Sequence, residues 1–253
     1  MTNLRVLSYN IHKGFTASNR RYVLSEIRDE IRMVNADLVF LQEVSGAHGR
    51  HPGNQLEFLA DQVWPHMSYG KNAVYTNGHH GNAILSRYPI IRWENINISA
   101  HAYENRGMLH AVVKPEPTGL PLHLICIHLG LTAFGREKQV QQLARRIENE
   151  VEADEPLIVA GDFNDWNQRV SRVLADSLGI REAFREVQGK HARTFPSFFP
   201  WLHLDRIYFR GLHASQAQCF THHPWRGLSD HLALFTEFKT REEKQNGDSQ
   251  ASG

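Results

Sequence analysis

Short apolar segments recur along the chain and constrain its fold more than any other feature. They are rich in Val, Ile, Leu and Phe and too short for buried helices, which is typical of β-strands in a sheet core. Two longer segments, Arg21–Val34 and Arg136–Val151, place apolar residues at helical spacing instead. We therefore expect one α/β domain over residues 1–239, with sheets packed together and covered by helices. The predicted strands are Arg5–Tyr9, Asp37–Gln42, Asn82–Ser86, Met108–Val113, Leu122–His128, Leu157–Ala160, Leu204–Phe209 and Leu232–Phe238.

The overall composition disfavours a dedicated non-specific nucleic-acid binder. The 253 residues are 41% hydrophobic and 22% charged with a net charge of +1, which is ordinary for a soluble globular protein. Non-specific nucleic-acid binders usually carry a basic stripe, and none is evident in this sequence. A nuclease is still compatible with this composition, because it needs only a local phosphate site.

The chain ends and the cysteines bear on location. The first strand follows Met1-Thr2-Asn3 directly, without the basic and apolar regions of a secretory signal, and no apolar run is long enough to cross a bilayer. Two cysteines are too few for a disulfide framework. We therefore expect a cytoplasmic protein. Residues 240–253 are polar and predicted to be a disordered tail, and Ser45–Asn54 is predicted to be a loop.

Polar side chains cluster where the predicted strands end. Rigid sheets commonly hold catalytic groups on the loops at strand ends, so this placement indicates a functional site. The residues concerned are Asn10 and His12 after the first strand, Glu43 after the second, His128, the segment Gly161-Asp162-Phe163-Asn164, Asp205, and Ser229-Asp230-His231 before the last strand.

Taken singly, these residues have structural interpretations of comparable weight. Glu43 could pair with an arginine, as buried carboxylates often do. Asp162 and Asn164 could form an Asx-turn that caps the following helix. Asp205 could pair with its neighbour Arg206.

The histidines allow similar alternatives. His128, at the end of an apolar strand, is by itself more often a hydrogen-bonded core histidine than a ligand. Asp230 and His231 could form a turn and a helix cap. The ordered appearance of all these groups at strand ends favours a common site over separate structural roles.

The motifs, taken in order, resemble those of the endonuclease/exonuclease/phosphatase superfamily. That superfamily includes deoxyribonuclease I, apurinic/apyrimidinic endonucleases, neutral sphingomyelinases and inositol polyphosphate phosphatases. The resemblance runs from about Leu4 to Phe238, and each motif is only moderately specific, whereas the ordered set is strongly so. The motifs are Tyr9-Asn10-Ile11, Leu41-Gln42-Glu43-Val44, Gly81 to Pro89, Ile127-His128-Leu129, Gly161-Asp162-Phe163-Asn164, Leu204-Asp205-Arg206-Ile207-Tyr208 and Ser229-Asp230-His231.

The resemblance implies a four-layer αββα sandwich of two packed mixed β-sheets flanked by helices. It further implies a divalent-metal site at one mouth of the paired sheets. Glu43 would be the principal metal ligand, Asn10 would lie beside it and contact both metal and substrate, and Asp230 would complete the metal shell.

The same resemblance assigns catalytic roles to five residues. Asp162 would activate or orient the attacking water, and Asn164 would hold the water or the phosphate. His231 would donate to a phosphate oxygen and would be oriented by Asp205, while His128 would contact the phosphate. Arg106 resembles a phosphate-contacting arginine of part of the superfamily, although a surface arginine is about as good an interpretation.

The residue types are consistent with this chemistry independently of the resemblance. Phosphodiester hydrolysis requires an in-line water and neutralisation of the charge that grows on the phosphoryl group. Hard oxygen ligands without paired cysteines suit Mg²⁺ or Mn²⁺. Two departures point away from the apurinic/apyrimidinic endonucleases: this chain has His12 where they carry an acidic residue and His128 where they carry a tyrosine.

Two segments bear on the substrate. Thr194–Trp201 carries four aromatic residues and two prolines and could stack bases, wedge into a lipid surface, or form a packed loop. Thr221–Arg226 offers histidines, a tryptophan and an arginine near the same mouth, or a packed loop around a buried Trp225. The pair His79-His80 suggests a transition metal only weakly, since no third ligand stands at useful spacing.

Three hypotheses of function follow. The chain is a nuclease, a phosphodiesterase for a phospholipid or small phosphoester, or a catalytically idle binding module. The intact set of Glu43, Asp162, Asn164, Asp205 and His231 disfavours the third. The expected partner is a phosphodiester substrate, with nucleic acid slightly ahead; nothing in the sequence indicates a membrane surface or an obligate protein partner.

Overall fold

The recurring apolar segments form two β-sheets in the computed structural model, which describes residues 3–46, 54–75, 78–101, 104–116 and 119–239. The strands are β1 (Asn3–Asn10), β2 (Leu38–Ser45), β3 (His66–Tyr75), β4 (Gly78–Ser86), β5 (Ile90–Asn97), β6 (Gly107–Val113), β7 (Leu122–His128), β8 (Leu157–Asp162), β9 (Arg181–Glu182), β10 (Asp205–Arg210), β11 (His213–Cys219) and β12 (Leu234–Lys239). The helices are α1 (Leu24–Val34), α2 (Gln55–Ala60), α3 (Ala133–Glu150), α4 (Arg169–Leu178), α5 (Ala183–Gln188) and α6 (Trp225–Leu228).

Each sheet has six strands and is mixed. The first has the order β11-β12-β1-β2-β4-β3 and the second the order β5-β6-β7-β8-β10-β9. One pair in each sheet is parallel, β1 with β2 and β7 with β8, and the other named pairs are antiparallel. The predicted mixed sheets are therefore confirmed.

Successive side chains along each strand point to opposite faces of the sheet, so each sheet contributes to two layers of the core. In β7, Leu124 and Cys126 face a core shared by both sheets, whereas Ile125 and Ile127 face the helices of the second sheet. The helices α1, α2 and α6 cover the outer face of the first sheet, and α3 and α4 cover that of the second. This is the predicted four-layer αββα sandwich.

The register brings the strand ends to common positions. Asn10 is opposite Gln42 across the parallel pair β1 and β2. Asp162 is opposite His128 on β7 and opposite Asp205 on β10. The carboxyl ends of parallel strands lie at the same edge of a sheet, so the predicted site residues start from neighbouring points.

Several predicted boundaries need correction. The helix predicted from Arg21 begins at Leu24, and the helix predicted from Arg136 begins earlier, at Ala133, because the Thr132 side chain accepts from Gly135 N and caps it. Within the predicted loop Ser45–Asn54, Ser45 ends β2, Asn54 caps α2, and residues 47–53 lie outside the described residues. The tail predicted for residues 240–253 also lies outside them. In the described ranges, no helix combines the length and apolar character needed to cross a bilayer.

Candidate active site

Asp162 lies at the centre of the convergent polar groups. Its Oδ2 is 3.3 Å from Asn10 Nδ2 and 3.3 Å from His128 Nε2. The same oxygen is 3.7 Å from His231 Nε2, whereas Oδ1 accepts from Asn164 N at 2.9 Å. All five residues are buried. The structure therefore brings these predicted residues together from strands of both sheets.

Asp205 contacts the other ring nitrogen of His231, Nδ1, whereas Asp162 lies near Nε2. Asp205 Oδ2 is 2.8 Å from His231 Nδ1, and the Asp205 carboxylate is buried. Burial favours the neutral ring, but the carboxylates of Asp205 and Asp162 outweigh it and raise the pKa of His231 to about 10. The imidazole is therefore protonated at neutral pH, with its Nε2–H directed toward Asp162.

Asp162 is the carboxylate most suited to accept a proton. Burial raises its pKa above the usual value, while the protonated His231 acts in the opposite direction. His128 itself is neutral at pH 7, because burial and the nearby Arg106 lower its pKa to about 4. A basic carboxylate beside a protonated imidazole is an arrangement that general acid–base catalysis can use.

Asn164 is held in a strained conformation that serves the same centre. Its φ is 48°, in the left-handed region, and its Nδ2 donates to Leu129 O at 2.9 Å. The predicted Asx-type bond to Asp162 is present, but the side chain also ties the loop after β8 to the end of β7. The predicted capping of the following helix is wrong, because α4 begins at Arg169 and its first N–H groups donate to Asp165.

Glu43 is aimed by an irregularity in β2. The register between β2 and β4 shifts between Leu41 and Val44, and Glu43 has a left-handed φ of 57°. Its Oε2 lies 2.9 Å from Lys13 Nζ, so the predicted arginine alternative is wrong and a lysine takes that place. Burial would raise the pKa of Glu43, but positive neighbours lower it well below its usual range; because His128 is neutral at pH 7, Lys13 is the main stabilising cation there.

Asp230 and His12 form a second pair beside Asn10. His12 Nδ1 is 3.0 Å from Asp230 Oδ2, and His12 Nε2 is 2.7 Å from Asn19 Oδ1. Burial opposes ionisation of Asp230, but the bond from His12 lowers its pKa overall. Ser229 Oγ donates to Asn10 O at 2.7 Å and joins the loop before β12 to the end of β1.

Arg106 lies inside the site region. Its side chain is only 13% exposed and pairs with Glu104 at 3.2 Å, so the alternative of a surface arginine is wrong. Its effect on the pKa of His128 shows that its charge reaches the convergent groups. A phosphate contact by Arg106 remains a prediction.

The residues present fit a hard divalent cation. The carboxylates of Glu43 and Asp230 and the amide of Asn10 are oxygen donors of the kind that Mg²⁺ and Mn²⁺ prefer. Asp162, Asp205 and His231 also offer ligand atoms within 4.8 Å of one another, and Asp205 Oδ1 is buried without a hydrogen-bond partner among the described residues. A protonated His231 cannot ligate a metal, so this second group is better interpreted as a hydrogen-bonded relay.

Sequence reasoning missed two supporting pairs. One is Lys13 with Glu43, although Lys13 directly follows His12 in the sequence. The other is Arg206 with Asp165, at 3.0 Å and fully buried, which fixes the loop after β8 against β10. The predicted alternative that Asp205 pairs with Arg206 is wrong, because adjacent side chains on a strand point to opposite faces.

The aromatic segment Thr194–Trp201 flanks the site. Phe195 packs on His231 with ring centroids 4.9 Å apart, and Ser197 N donates to Asp230 O at 2.8 Å. Phe198, Phe199 and Trp201 are 67%, 71% and 58% exposed, so the alternative of a packed loop does not hold for them. They present aromatic surface to solvent beside the convergent polar groups.

The other two candidate segments behave differently. Trp225 is buried and stacks on Phe220 with centroids 4.7 Å apart, which confirms the predicted buried tryptophan, whereas His222, His223 and Arg226 of the same segment are exposed. His79 Nδ1 contacts Tyr69 Oη at 2.9 Å. Within the ranges that the structure describes, His79 and His80 do not join a third metal ligand.

Comparison with known proteins gives a family and a fold. Residues 7–231 match the sequence model of the Endonuclease/Exonuclease/phosphatase family. The chain is 48% identical over 243 residues to the uncharacterized protein YbhP of Escherichia coli strain K12, covering 93% of this chain and 96% of that one.

Solved structures share the architecture at low identity. D. rerio TDP2 complexed with single-strand DNA product has a TM-score of 0.74 at 20% identity, over 95% of this chain and 100% of that one. A mannosyl-6-phosphatase of Bacteroides thetaiotaomicron has a TM-score of 0.73 at 17% identity, over 93% and 99% of the two chains. These likenesses support the αββα fold described above.

Proposed function

The chain belongs to the Endonuclease/Exonuclease/phosphatase family, and on that premise we propose that it is a divalent-metal-dependent phosphodiesterase whose favoured substrate is nucleic acid. The observation that carries the proposal is the contact of Asp162 with a protonated His231 that Asp205 holds in place. Such a constellation of acid, base and orienting group is what hydrolysis of a phosphate ester requires.

We assign the proton transfers to the buried relay. Asp162 orients the attacking water and accepts its proton, since its pKa is raised by burial. His231 donates from Nε2 to a phosphate oxygen as charge develops there, and Asp205 fixes the tautomer and charge that make this donation available. Phe195 packs against the ring and limits the access of water to it.

The surrounding residues are assigned to the phosphate and the cation. Asn10, Asn164 and His128 contact Asp162 and are proposed to position the phosphate. Arg106, whose charge lowers the pKa of His128, is proposed to contact the phosphate as well. Glu43, with Asn10 and Asp230, would hold Mg²⁺ or Mn²⁺. The bound ion would neutralise the charge that grows on the phosphoryl oxygens.

Two other functions are compared with this one. Exposed Phe198, Phe199 and Trp201 would also suit a phospholipid phosphodiesterase, which is the second candidate. A catalytically idle binding module is disfavoured. Buried charged groups such as those of the relay and Glu43 destabilise a fold, and a protein without catalytic activity would not need them.

One panel of substrates tests the proposal. Purified protein with Mn²⁺ is offered supercoiled plasmid DNA, bis-p-nitrophenyl phosphate and phospholipid vesicles. The expected result is nicking of plasmid and turnover of the small diester, both abolished by EDTA. Release from vesicles alone would favour the lipid candidate and contradict the nucleic-acid assignment.

A matched pair of histidine variants controls the panel. His231→Ala is expected to lower kcat on the small diester by at least about 100-fold, which is the usual contribution of a general acid. His213→Ala removes an exposed histidine on β11 and is expected to leave kcat unchanged. Equal activity of the two variants would exclude the proposed relay.

A further inference from the structure

A large cleft borders the Thr194–Trp201 loop, which also flanks the proposed catalytic groups. Its volume is about 900 Å³, and its lining includes residues before and on α4, the segment after α5, and Pro200. Pro200 belongs to the same loop as Phe195, which packs on His231. The loop is therefore a wall shared by this cleft and the catalytic site.

Four basic side chains give the cleft its charge, and we name it the basic cleft. They come from separate elements: Arg172 from α4, Arg185 from α5, and Lys190 and Arg193 from the segment that follows. All four are exposed to solvent. Among the described residues that line the cleft, none carries an acidic side chain.

Three acidic residues close in sequence to the lining of the cleft have partners of their own. Glu186 lies 2.6 Å from Arg181, and Asp165 is paired with Arg206 inside the fold. Glu182 lies 2.9 Å from His191 and also caps α5. Within the part of the chain that the structure describes, no carboxylate is at ion-pair distance from the four basic groups, so their positive charge is available to a ligand.

The shape and chemistry of the cleft suit the backbone of a polyanion. Carboxamides of Asn167 and Gln168 stand among the cations and can donate to phosphate oxygens. The cleft is concave, so a flat membrane surface cannot reach its floor. A volume of about 900 Å³ is also much larger than a single phosphate needs.

Exposed aromatic rings stand at the border of this charged groove. Phe199 and Trp201 flank Pro200 in the sequence, and both are more than half exposed. A positive groove that follows the backbone, combined with aromatic platforms for the bases, is how proteins bind single-stranded nucleic acid without sequence preference.

We propose that the basic cleft binds the phosphates of a single-stranded nucleic acid whose scissile phosphodiester lies at Asp162 and His231. This inference rests on the proposed function and specifies its substrate class. The strand passes over the Thr194–Trp201 loop, with bases stacked on the exposed rings. The modest net charge of the chain is compatible with this arrangement, because the charge needed is local.

Binding without catalysis tests the cleft directly. The affinity for a fluorescein-labelled oligothymidylate is measured by fluorescence anisotropy in the presence of EDTA. The wild-type protein is compared with the double variant Arg185→Gln/Lys190→Gln and with a control that loses the same charge, Arg145→Gln/Lys239→Gln. Arg145 and Lys239 are exposed and do not line the cleft. The cleft variant is expected to bind about tenfold more weakly at low salt, with a slope of log K against log salt shallower by about 1.4, since each lost contact removes about 0.7.

Several outcomes would decide against the inference. Equal affinities and salt slopes for the two double variants would overturn it. So would a cleft variant that loses binding to phosphatidylglycerol vesicles but keeps oligothymidylate affinity. Turnover of bis-p-nitrophenyl phosphate is measured alongside, and both double variants should retain it; its absence in the wild-type protein with Mn²⁺ would instead refute the proposed function and remove the premise of the inference.

Discussion

At the scale of single residues, the contact between Asp205 and His231 controls the charge of the site. The carboxylate is buried and directed at Nδ1, and it is the strongest of the influences that raise the pKa of that imidazole. We expect Asp205→Asn to keep the hydrogen bond but to lower the pKa of His231. A fall in kcat of about 100-fold or more should follow, with little change in KM, because the donating proton is lost.

The Asp205→Asn prediction is checked by two measurements. Steady-state kinetics on bis-p-nitrophenyl phosphate give the split between kcat and KM, and NMR titration of the His231 ring gives its pKa. Asp29→Asn, which removes an exposed carboxylate on α1, serves as the control. An unchanged pKa of His231 in Asp205→Asn would contradict the role assigned to the carboxylate.

The ion pair between Lys13 and Glu43 leads to a second prediction. The ammonium lies 2.9 Å from the oxygen that we assign to the metal, so it competes with the cation for that oxygen. Lys13→Met should therefore tighten Mn²⁺ binding by about threefold to tenfold, measured by calorimetry without substrate. Lys71→Met, at an exposed position on β3, should leave the affinity unchanged. Weaker binding by Lys13→Met would mean that the lysine orders Glu43 for the metal.

The sequence anticipates the residues of the site better than their partners. The ordered motifs lead to Asp162, Asp205 and His231, which the structure brings together. The pair of Lys13 with Glu43 depends on the bulge in β2, and that of Arg206 with Asp165 depends on how β10 lies against the loop after β8. These partners are set by tertiary geometry, which local sequence does not encode.

At the scale of the elements, Gly161 sets the approach of β8 to β7 just before Asp162. Its φ is 147°, and a Cβ at this position would meet Ile127 O at 1.9 Å. Gly161→Ala should therefore lower the free energy of unfolding by about 3 kcal/mol or more, because the backbone must shift. Gly179, at the end of α4, has a φ of 63° with nothing within 4 Å of its Cβ position.

Gly179→Ala is the matched control for this glycine. The added methyl group meets no neighbouring atom, so only the left-handed backbone conformation is unfavourable for alanine. We therefore expect the free energy of unfolding to fall by about 1 kcal/mol. Urea unfolding followed by circular dichroism gives both values, and only Gly161→Ala should also lower the activity of the folded fraction. Similar stability losses for the two variants would show that the two strands tolerate a wider spacing than the structure indicates.

The strands that sequence patterns miss are the edge strands of both sheets. β3 and β11 border the first sheet, and β5 and β9 border the second. β5 has no buried residue, β11 has only two, and β9 is only two residues long. Central strands are buried on both faces and stand out as apolar runs, whereas an edge strand needs no such run and is therefore hard to recognise. The short helices α2, α5 and α6 are missed because they hold too few residues to show a helical period.

At the scale of the whole molecule, the core between the sheets predicts cooperative unfolding. One buried cluster contains side chains from β1, β2, β4 and β12 of the first sheet and from β6, β7, β8 and β10 of the second. If one sheet separates from this core, the inner faces of both sheets become exposed to water. Residues 1–239 are therefore predicted to unfold as a single unit. Circular dichroism and tryptophan fluorescence should give coincident urea transitions; two separated transitions would contradict the prediction of one domain.

A chain of polar contacts on the outer face of the second sheet links stability to pH. Arg146 Nε donates to His110 Nδ1 at 3.0 Å, which places the proton of the His110 ring on Nε2. That nitrogen lies 2.9 Å from His123 Nδ1, and His123 Nε2 lies 3.0 Å from Glu155. This series of hydrogen bonds requires a neutral His110, and burial lowers the pKa of His110 to about 3.

The sign of the pH effect follows from that depressed pKa. Between its ordinary pKa of 6.5 and its folded pKa of about 3, the unfolded state binds a proton on His110 that the folded state does not. The contribution of His110 is therefore fully present above pH 6.5 and declines as the pH falls, by about 2 kcal/mol between pH 6.5 and pH 5. The glutamine of His110→Gln can keep both hydrogen bonds but does not titrate. Between pH 6.5 and pH 5, the free energy of unfolding of this variant should therefore fall by about 2 kcal/mol less than that of the wild type. His213→Gln, at an exposed site, should follow the wild-type curve; parallel curves for His110→Gln and wild type, from urea titrations at both pH values, would show that His110 is protonated within the fold.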